Sequence, residues 1–469
     1  MSQPSQLGSA PIGQLLRQQA VPASIGILVL SIYGIVDTIF VGQFVGAVAI
    51  GAITVVLPIT YLISSIGMAI GVGGGSIISR AFGAKNPDRA YRTFGNQVTL
   101  VLIISVLAVV IFSIFEIEVL RLFGGKGETL PAAYEYFTIL LPSIPFLAWA
   151  MMSNNVFRAE GKPKIAMTVM IIPAVINLVL DPIFIIWLEM GLTGAALATA
   201  ISYVCSALFC LYNFVFGKSS MKFHLPDMRL HWPIVKEIFS LGSVTFSRQS
   251  VVALLMIVLN NTLFAYGGAL ALSVYGIIQR VMMFANFPVL GITQGFIPIA
   301  GFNFGAENWE RVRKVISLAL KSGTIIAVGI FLSILLFADP LVRLFTTDEE
   351  LVGLTVPAIR IAFLATPCIL FQLVGSAYFQ AIGKALPALL LTMTKQGFCL
   401  IPLLFILPPV FGLDGVWMAF PIADVLSASI CFYFLRRQMA ALGKDGIKIQ
   451  AETTLLTKPE EVISSKDLP

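Results

Sequence analysis

A carboxylate set in a long apolar run is the first place in this sequence to look for chemistry. Residues 22–40 read PASIGILVLSIYGIVDTIF, with Asp37 near the far end. A run of this length suits a membrane-spanning helix, which needs about 20 apolar residues. A charge inside such a helix costs about 3 kcal/mol on insertion scales, and carboxylates kept there bind ions or relay protons. Tyr33 lies one turn before Asp37 on the same helical face, and Pro22 offers a point where the helix can bend. A competing reading makes Asp37 an interfacial residue at the aqueous boundary. A second carboxylate, Asp181, ends the run PAVINLVLD of residues 173–181, directly before Pro182. Asn177 and Asp181 are four apart and share a face. The Asp181-Pro182 step predicts a locally loosened helix whose carbonyls can coordinate a cation. Alternatively Asp181 is a structural cap at a helix break, since Asp before Pro is a common turn signal.

Other chemistries find little support. Cys205, Cys210, Cys368, Cys399 and Cys431 all lie in apolar segments without a CxxC pair, so they read as buried thiols. His224 and His231 share one polar loop, with no further ligands at metal-binding spacing. No Walker A motif points to ATP, and no DDxxD pair points to magnesium diphosphate chemistry, so an enzyme is not expected. The N-terminus, with Arg17 ahead of a long apolar run, does not have the pattern of a cleaved secretory signal.

The elements that must position these residues are plain in the composition. Of 469 residues, 58% are hydrophobic and 12% charged, and the mean hydropathy is +0.93, which marks a polytopic membrane protein. The net charge of +6 then reflects Lys and Arg in cytoplasmic loops, not nucleic-acid binding. Twelve apolar segments are expected, near 12–41, 46–78, 92–115, 130–157, 165–188, 192–216, 234–265, 270–302, 314–338, 352–381, 387–410 and 414–436. The even-numbered connections carry Arg80, Lys85, Arg89 and Arg92, then Arg158, Lys162 and Lys164, then Lys218, Lys222 and Arg229, then Arg311, Arg313 and Lys314. The opposite loops carry Glu116, Glu118, Glu128, Glu189, Asp348, Glu349 and Glu350. This alternation predicts that the even connections and both termini are cytoplasmic, in the inner membrane of the cell.

The chain also repeats itself. Phe82-Gly83-Ala84-Lys85-Asn86 recurs as Phe304-Gly305-Ala306-Glu307-Asn308, and Phe157 to Lys162 recurs as Phe379 to Lys384, both at a shift of 222 (305 − 83 and 383 − 161). Gly191-Leu192-Thr193-Gly194 recurs as Gly412-Leu413-Asp414-Gly415. Matches in register along both halves predict two six-helix bundles of the same membrane orientation, with a cavity between them. The repeat breaks where the carboxylates lie: Asp37 aligns with Asn261, and Asp181 with an apolar stretch near Leu403. The second half has other charges, Arg248, Arg280, Arg360, Lys395 and Asp424. Arg280 and Lys395 lie near enough to the ends to snorkel, whereas Arg360 and Asp424 are expected deeper, with a Lys395–Asp424 pair open to test.

Together these features resemble the multidrug and toxic compound extrusion (MATE) transporters, over Gln14 to Arg437. Asn177-x3-Asp181-Pro182, with the stretch from Ile278 to Ala306, is similar to the DinF-like branch and its MepA-like members. The resemblance implies an all-α polytopic membrane protein, with twelve transmembrane helices in two pseudo-symmetric lobes. The lobes would be 1–216 and 234–437, joined by a cytoplasmic loop 217–233 and followed by a polar tail 438–469. It further implies an antiporter that expels amphiphilic, often cationic compounds in exchange for inward H+ or Na+. Asp37, Asn177, Asp181 and Thr199 would form the ion-coupling site, and would be the metal ligands if the ion is Na+. Tyr33 and Pro22 would be tied to bending of the first helix, and Asn154 would face the cavity. No other cofactor is implied; the partners are small amphiphilic molecules and the lipid bilayer, with no nucleic acid, and the chain is expected to act as a monomer. A lipid or lipid-linked oligosaccharide flippase of related fold is the rival reading, kept open by the basic residues of the second half.

Overall fold

The computed structural model describes residues 3–217 and 219–444. Among these residues there is no strand, and eleven continuous helical stretches are long and apolar enough to cross a membrane. They are α1 (Ile12–Phe44), α2 (Val48–Gly83), α3 (Pro87–Ile114), α4 (Thr129–Ala159), α5 (Pro163–Trp187), α6 (Gly191–Val215), the stretch Trp232–Gly305, α9 (Trp309–Arg343), α10 (Glu349–Ala381), α11 (Ala385–Ile406) and the stretch Pro408–Ala440. Trp232–Gly305 has 74 residues. A straight helix of that length would reach about 110 Å at 1.5 Å per residue, against a hydrocarbon layer of about 30 Å. It folds back at Gly268 (φ 62°, ψ −156°), which divides it into α7 (232–267) and α8 (269–305). Gly412 (φ 59°, ψ −138°) likewise breaks the last stretch and leaves α12 at 413–440. The described residues thus hold twelve spans, six in each half of the chain.

The repeated motifs are helix stops followed by helix starts. Lys85 and Glu307, 222 residues apart, both adopt φ 56°. Each closes a left-handed C-terminal turn: the Asn86 N–H donates to the Ala81 carbonyl, and the Asn308 N–H to the Asn303 carbonyl, both at 2.9 Å. The same asparagines then cap the next helix, accepting from the Arg89 N–H at 3.0 Å and the Arg311 N–H at 3.2 Å. Such a cap contributes about 1 kcal/mol. Gly161 (φ 78°) and Gly383 (φ 86°) end α4 and α10 in the same way. The motifs repeat because each half needs the same chain reversals at the same depth.

Apolar packing divides into a core built on α2 to α6 and further cores in the second half. The division at 216 and 234 expected from the sequence is crossed at two helix starts. Leu7, Ile12, Leu15, Leu16 and Ala20 pack into the core of the second half with Val289, Ile292 and Phe296. Val235, Ile238 and Leu241 of α7 pack into the core of the first. Each start is amphipathic and lays its apolar residues on the other bundle. The helix at the end of the chain also runs to Lys444, so the predicted tail begins helical, and its remainder, 445–469, lies outside the described residues, as does Lys218.

The halves meet tightly at the end that carries the basic loops. A Cβ on Gly83 would stand 2.0 Å from the backbone oxygen of Phe302, and one on Gly305 would stand 2.1 Å from that of Arg80. Only glycine lets α2 and α8 cross this closely. Around the crossing, Arg80 and Arg89 reach Glu237 of α7 at 2.8 and 2.7 Å, and Ser76 Oγ donates to the Gln380 carbonyl at 2.7 Å. Away from this end the halves part: residues 27–40 of α1 include none that is buried, and a Cβ on Gly34 or Gly276 would meet nothing within 4 Å.

Candidate ion and substrate site

Four of the predicted residues come together inside the first half. Asn177 and Asp181 lie one turn apart on α5 and are buried, as is Thr199 on α6. Asn177 Nδ2 donates to Thr199 Oγ1 at 3.3 Å. Asp37, half-buried on α1, brings its carboxyl group to that of Asp181. Directly after Asp181 the helix widens into a π-helical turn, Pro182–Trp187. Proline supplies no N–H, so the regular ladder cannot continue through it unchanged.

The hydrogen-bond inventory of this cluster is incomplete in an informative way. Asn177 Oδ1 and Asp181 Oδ1 are both buried, and neither has a partner among the described residues. Buried oxygens left unpaired are costly, and two carboxyl groups facing each other in a low-dielectric interior cannot both stay ionised without a positive charge between them. The donor set of carboxylate, amide and hydroxyl oxygens is hard and suits an alkali cation or a proton.

Two tyrosines that the sequence did not single out complete the cluster. Tyr136 on α4 is buried with its hydroxyl group near Thr199, and Tyr203 on α6 lies close to Asp37. With Tyr33 they lie within electrostatic reach of Asp37. The spacing of Thr199 and Tyr203, four apart on one helix, was the one signal that could have found Tyr203; nothing local points to Tyr136. Asn154, by contrast, is buried and occupied elsewhere: Nδ2 donates to the Ala166 carbonyl at 2.5 Å, and Oδ1 accepts from Arg158 Nε at 3.1 Å. Pro22 sits buried inside an unbroken helix, where Ser24 Oγ donates to the Ala20 carbonyl at 3.0 Å. That places it where α1 passes from the second half's core towards the cleft.

The charges of the second half differ in their surroundings. Arg360 is exposed on the outer face of the amphipathic segment Glu349–Ala362. Arg280 is exposed and Arg248 half-buried. Lys395 and Asp424 do form a pair, Nζ to Oδ1 2.5 Å, with side chains 19% and 7% exposed. Lys395 stands in a second π-helical turn, Thr394–Leu400. Among the described residues the first half therefore has two facing carboxyl groups with no basic partner, whereas the second has a carboxylate with a built-in ammonium. Asn261, the counterpart of Asp37, is exposed and donates to the Ile257 carbonyl of its own helix at 2.8 Å.

A bundle of two matching halves is also what comparison with known proteins returns. The MatE family model matches residues 22–183 and 244–406, once in each half. The chain belongs to the MatE family. It is 28% identical to the multidrug export protein MepA of Staphylococcus aureus (strain MSSA476) over 433 residues, 92% of this chain and 95% of the relative. It is 29% identical to MepA of Staphylococcus haemolyticus over 416 residues, 89% and 91% of the two chains. Among solved structures it is similar to an outward-facing multidrug resistance MATE transporter of the MOP superfamily, with TM-score 0.88, 28% identity and coverage of 94% and 98%. It is also similar to a MOP superfamily transporter from Pyrococcus furiosus for which a reversed polarity of the binding pocket suggests a different function, with TM-score 0.87, 28% identity and coverage of 94% and 98%. This is a family of multi-pass membrane transporters, not of enzymes. The lipid-facing surface agrees, with Ile103, Val106 and Val110 on α3 and Val425 and Leu426 on α12 exposed.

Proposed function

We propose that this MatE-family chain is a secondary antiporter that exports amphiphilic, often cationic compounds in exchange for inward H+ or Na+. The observation that carries the reading is the cluster of Asp37, Asn177, Asp181 and Thr199, with two buried oxygens unpaired and, among the described residues, no basic group beside the facing carboxyl groups. These four residues would hold the coupling ion, which as Na+ would supply the missing positive charge between the carboxylates. Asp37 sits on α1, and the others on α5 and α6, so occupancy ties α1 to the bundle. With the site empty, the charge is available to a cationic substrate in the cleft. Competition of ion and substrate for one charge, with the two halves alternating, yields exchange. The basic loops assign the closed end to the cytoplasm, so both termini would be cytoplasmic and the cleft would open outward, in the inner membrane. A monomer suffices for this cycle, with no cofactor beyond the ion and no nucleic-acid partner.

A flippase would need unpaired cationic groups in the second half. There Lys395 is neutralised by Asp424, which removes one of the four basic groups that reading relies on, with Arg248, Arg280 and Arg360. The antiporter reading is tested by reconstitution into liposomes. An imposed Na+ or pH gradient should drive movement of a fluorescent cation such as ethidium, and no movement under either gradient would sink it.

A further inference from the structure

Where the two halves meet, Arg158 of α4 is 4% exposed. Its Nε donates to Asn154 Oδ1, and one Nη approaches Met170 Sδ at 3.6 Å. Its other Nη is buried and has no partner among the described residues. The guanidinium borders a small cavity shared by both halves, lined by Val72, Ser76 and Asn155 on one side and Gln294, Ile297 and Pro298 on the other. The space is enough for one small occupant.

The nearby carboxylates are engaged elsewhere. Glu160 binds Lys162 and accepts from Ser219 Oγ at 2.6 Å, and Glu237 binds Arg80 and Arg89. Arg158 is therefore a full positive charge out of water without a counter-charge, which is costly in a low-dielectric interior. A water molecule could take the free N–H, but its dipole cannot cancel a charge. The internal repeat sharpens the point. The position matching Arg158 is Gln380, whose neutral amide donates to the Leu241 carbonyl at 3.1 Å and to Thr245 Oγ1 at 3.3 Å. The fold is satisfied by glutamine at this place, so the guanidinium and its cavity are an addition specific to the first half.

We infer that Arg158, with the amides of Asn155 and Gln294, binds a small monovalent inorganic anion of chloride size between the two halves. Because the lining comes from both halves, the anion binds the arrangement closed at the basic end and stabilises it.

The test uses the full chain. Crystals of the wild-type protein grown in sodium bromide should give an anomalous peak beside the Arg158 guanidinium, and crystals of Arg158→Gln should lack it. The melting temperature should be several degrees higher in sodium chloride or bromide than in sodium gluconate at equal Na+, and Arg158→Gln should lose that difference. No bromide at Arg158 in the wild type would mean a water molecule only, and a peak that persists in Arg158→Gln would mean an adventitious ion only; either overturns the inference. Equal melting temperatures in the three salts would overturn the linkage to closure. Should Arg158→Gln not fold, the wild-type bromide map and salt series decide on their own, and Gln294→Leu should show reduced bromide occupancy.

Discussion

Gly83→Ala is a one-methyl perturbation placed where the two halves touch. The new Cβ would stand 2.0 Å from the Phe302 oxygen and 2.8 Å from the Ala306 nitrogen, both backbone atoms that no rotamer change can move. Ordinary contact begins at 3.4 Å, so α2 and α8 must separate by about 1.4 Å (3.4 − 2.0). Overpacking of this kind costs about 1–3 kcal/mol. The cost falls only on the arrangement closed at the basic end, and any gain in helix propensity is common to both arrangements and cancels. The ratio of closed to open should therefore fall by roughly 5- to 150-fold. Spin labels at Asp88 and Glu310, both exposed and on opposite halves, report this as a longer distance population in double electron–electron resonance, in a background without the native cysteines. Gly276→Ala, where a Cβ meets nothing within 4 Å, is the control and should leave the distribution unchanged. An unaltered distribution in Gly83→Ala would refute the claim that this crossing holds the halves together.

Asp37→Asn keeps the shape of the ion cluster but removes a charge, so the variant should reach the membrane and lose gradient-driven dye efflux in liposomes; adding Asn261→Asp should not restore it, because Asn261 is exposed and tied to its own helix. Tyr136→Phe deletes the hydroxyl group beside Thr199 and should weaken the apparent affinity for the coupling ion, by about fivefold if one hydrogen bond of about 1 kcal/mol is lost, measured as the ion concentration at half-maximal exchange. Lys395→Met leaves Asp424 buried without its ammonium and should destabilise the protein by about 3–5 kcal/mol, whereas Lys395→Met with Asp424→Leu should recover most of the loss in thermal melting; full stability of the single variant would show that the pair has no structural role.

The sequence by itself determined the number of spans, the repeat and the identity of the acidic residues. Apolar run length, turn chemistry and four-residue spacing are local properties, and local properties are written along the chain. Phe82 to Asn86 and Phe304 to Asn308 were legible as equivalent because a left-handed residue followed by a capping asparagine has the same composition wherever it occurs. Asn177 and Asp181 were legible as neighbours for the same reason. Tertiary structure decided what stands across from them. The meeting of Asp37 with Asp181 joins residues 144 apart (181 − 37), and Tyr136 enters from a third helix with no periodic signal. The pairing of Lys395 with Asp424, the diversion of Asn154 to Ala166 and Arg158, and the seating of Leu7 to Ala20 on the opposite bundle all depend on which helices pack together. In a membrane nearly every span is apolar on most faces, so hydrophobicity cannot choose the neighbours. Small residues and a few polar contacts choose them, and those act only once the helices are side by side.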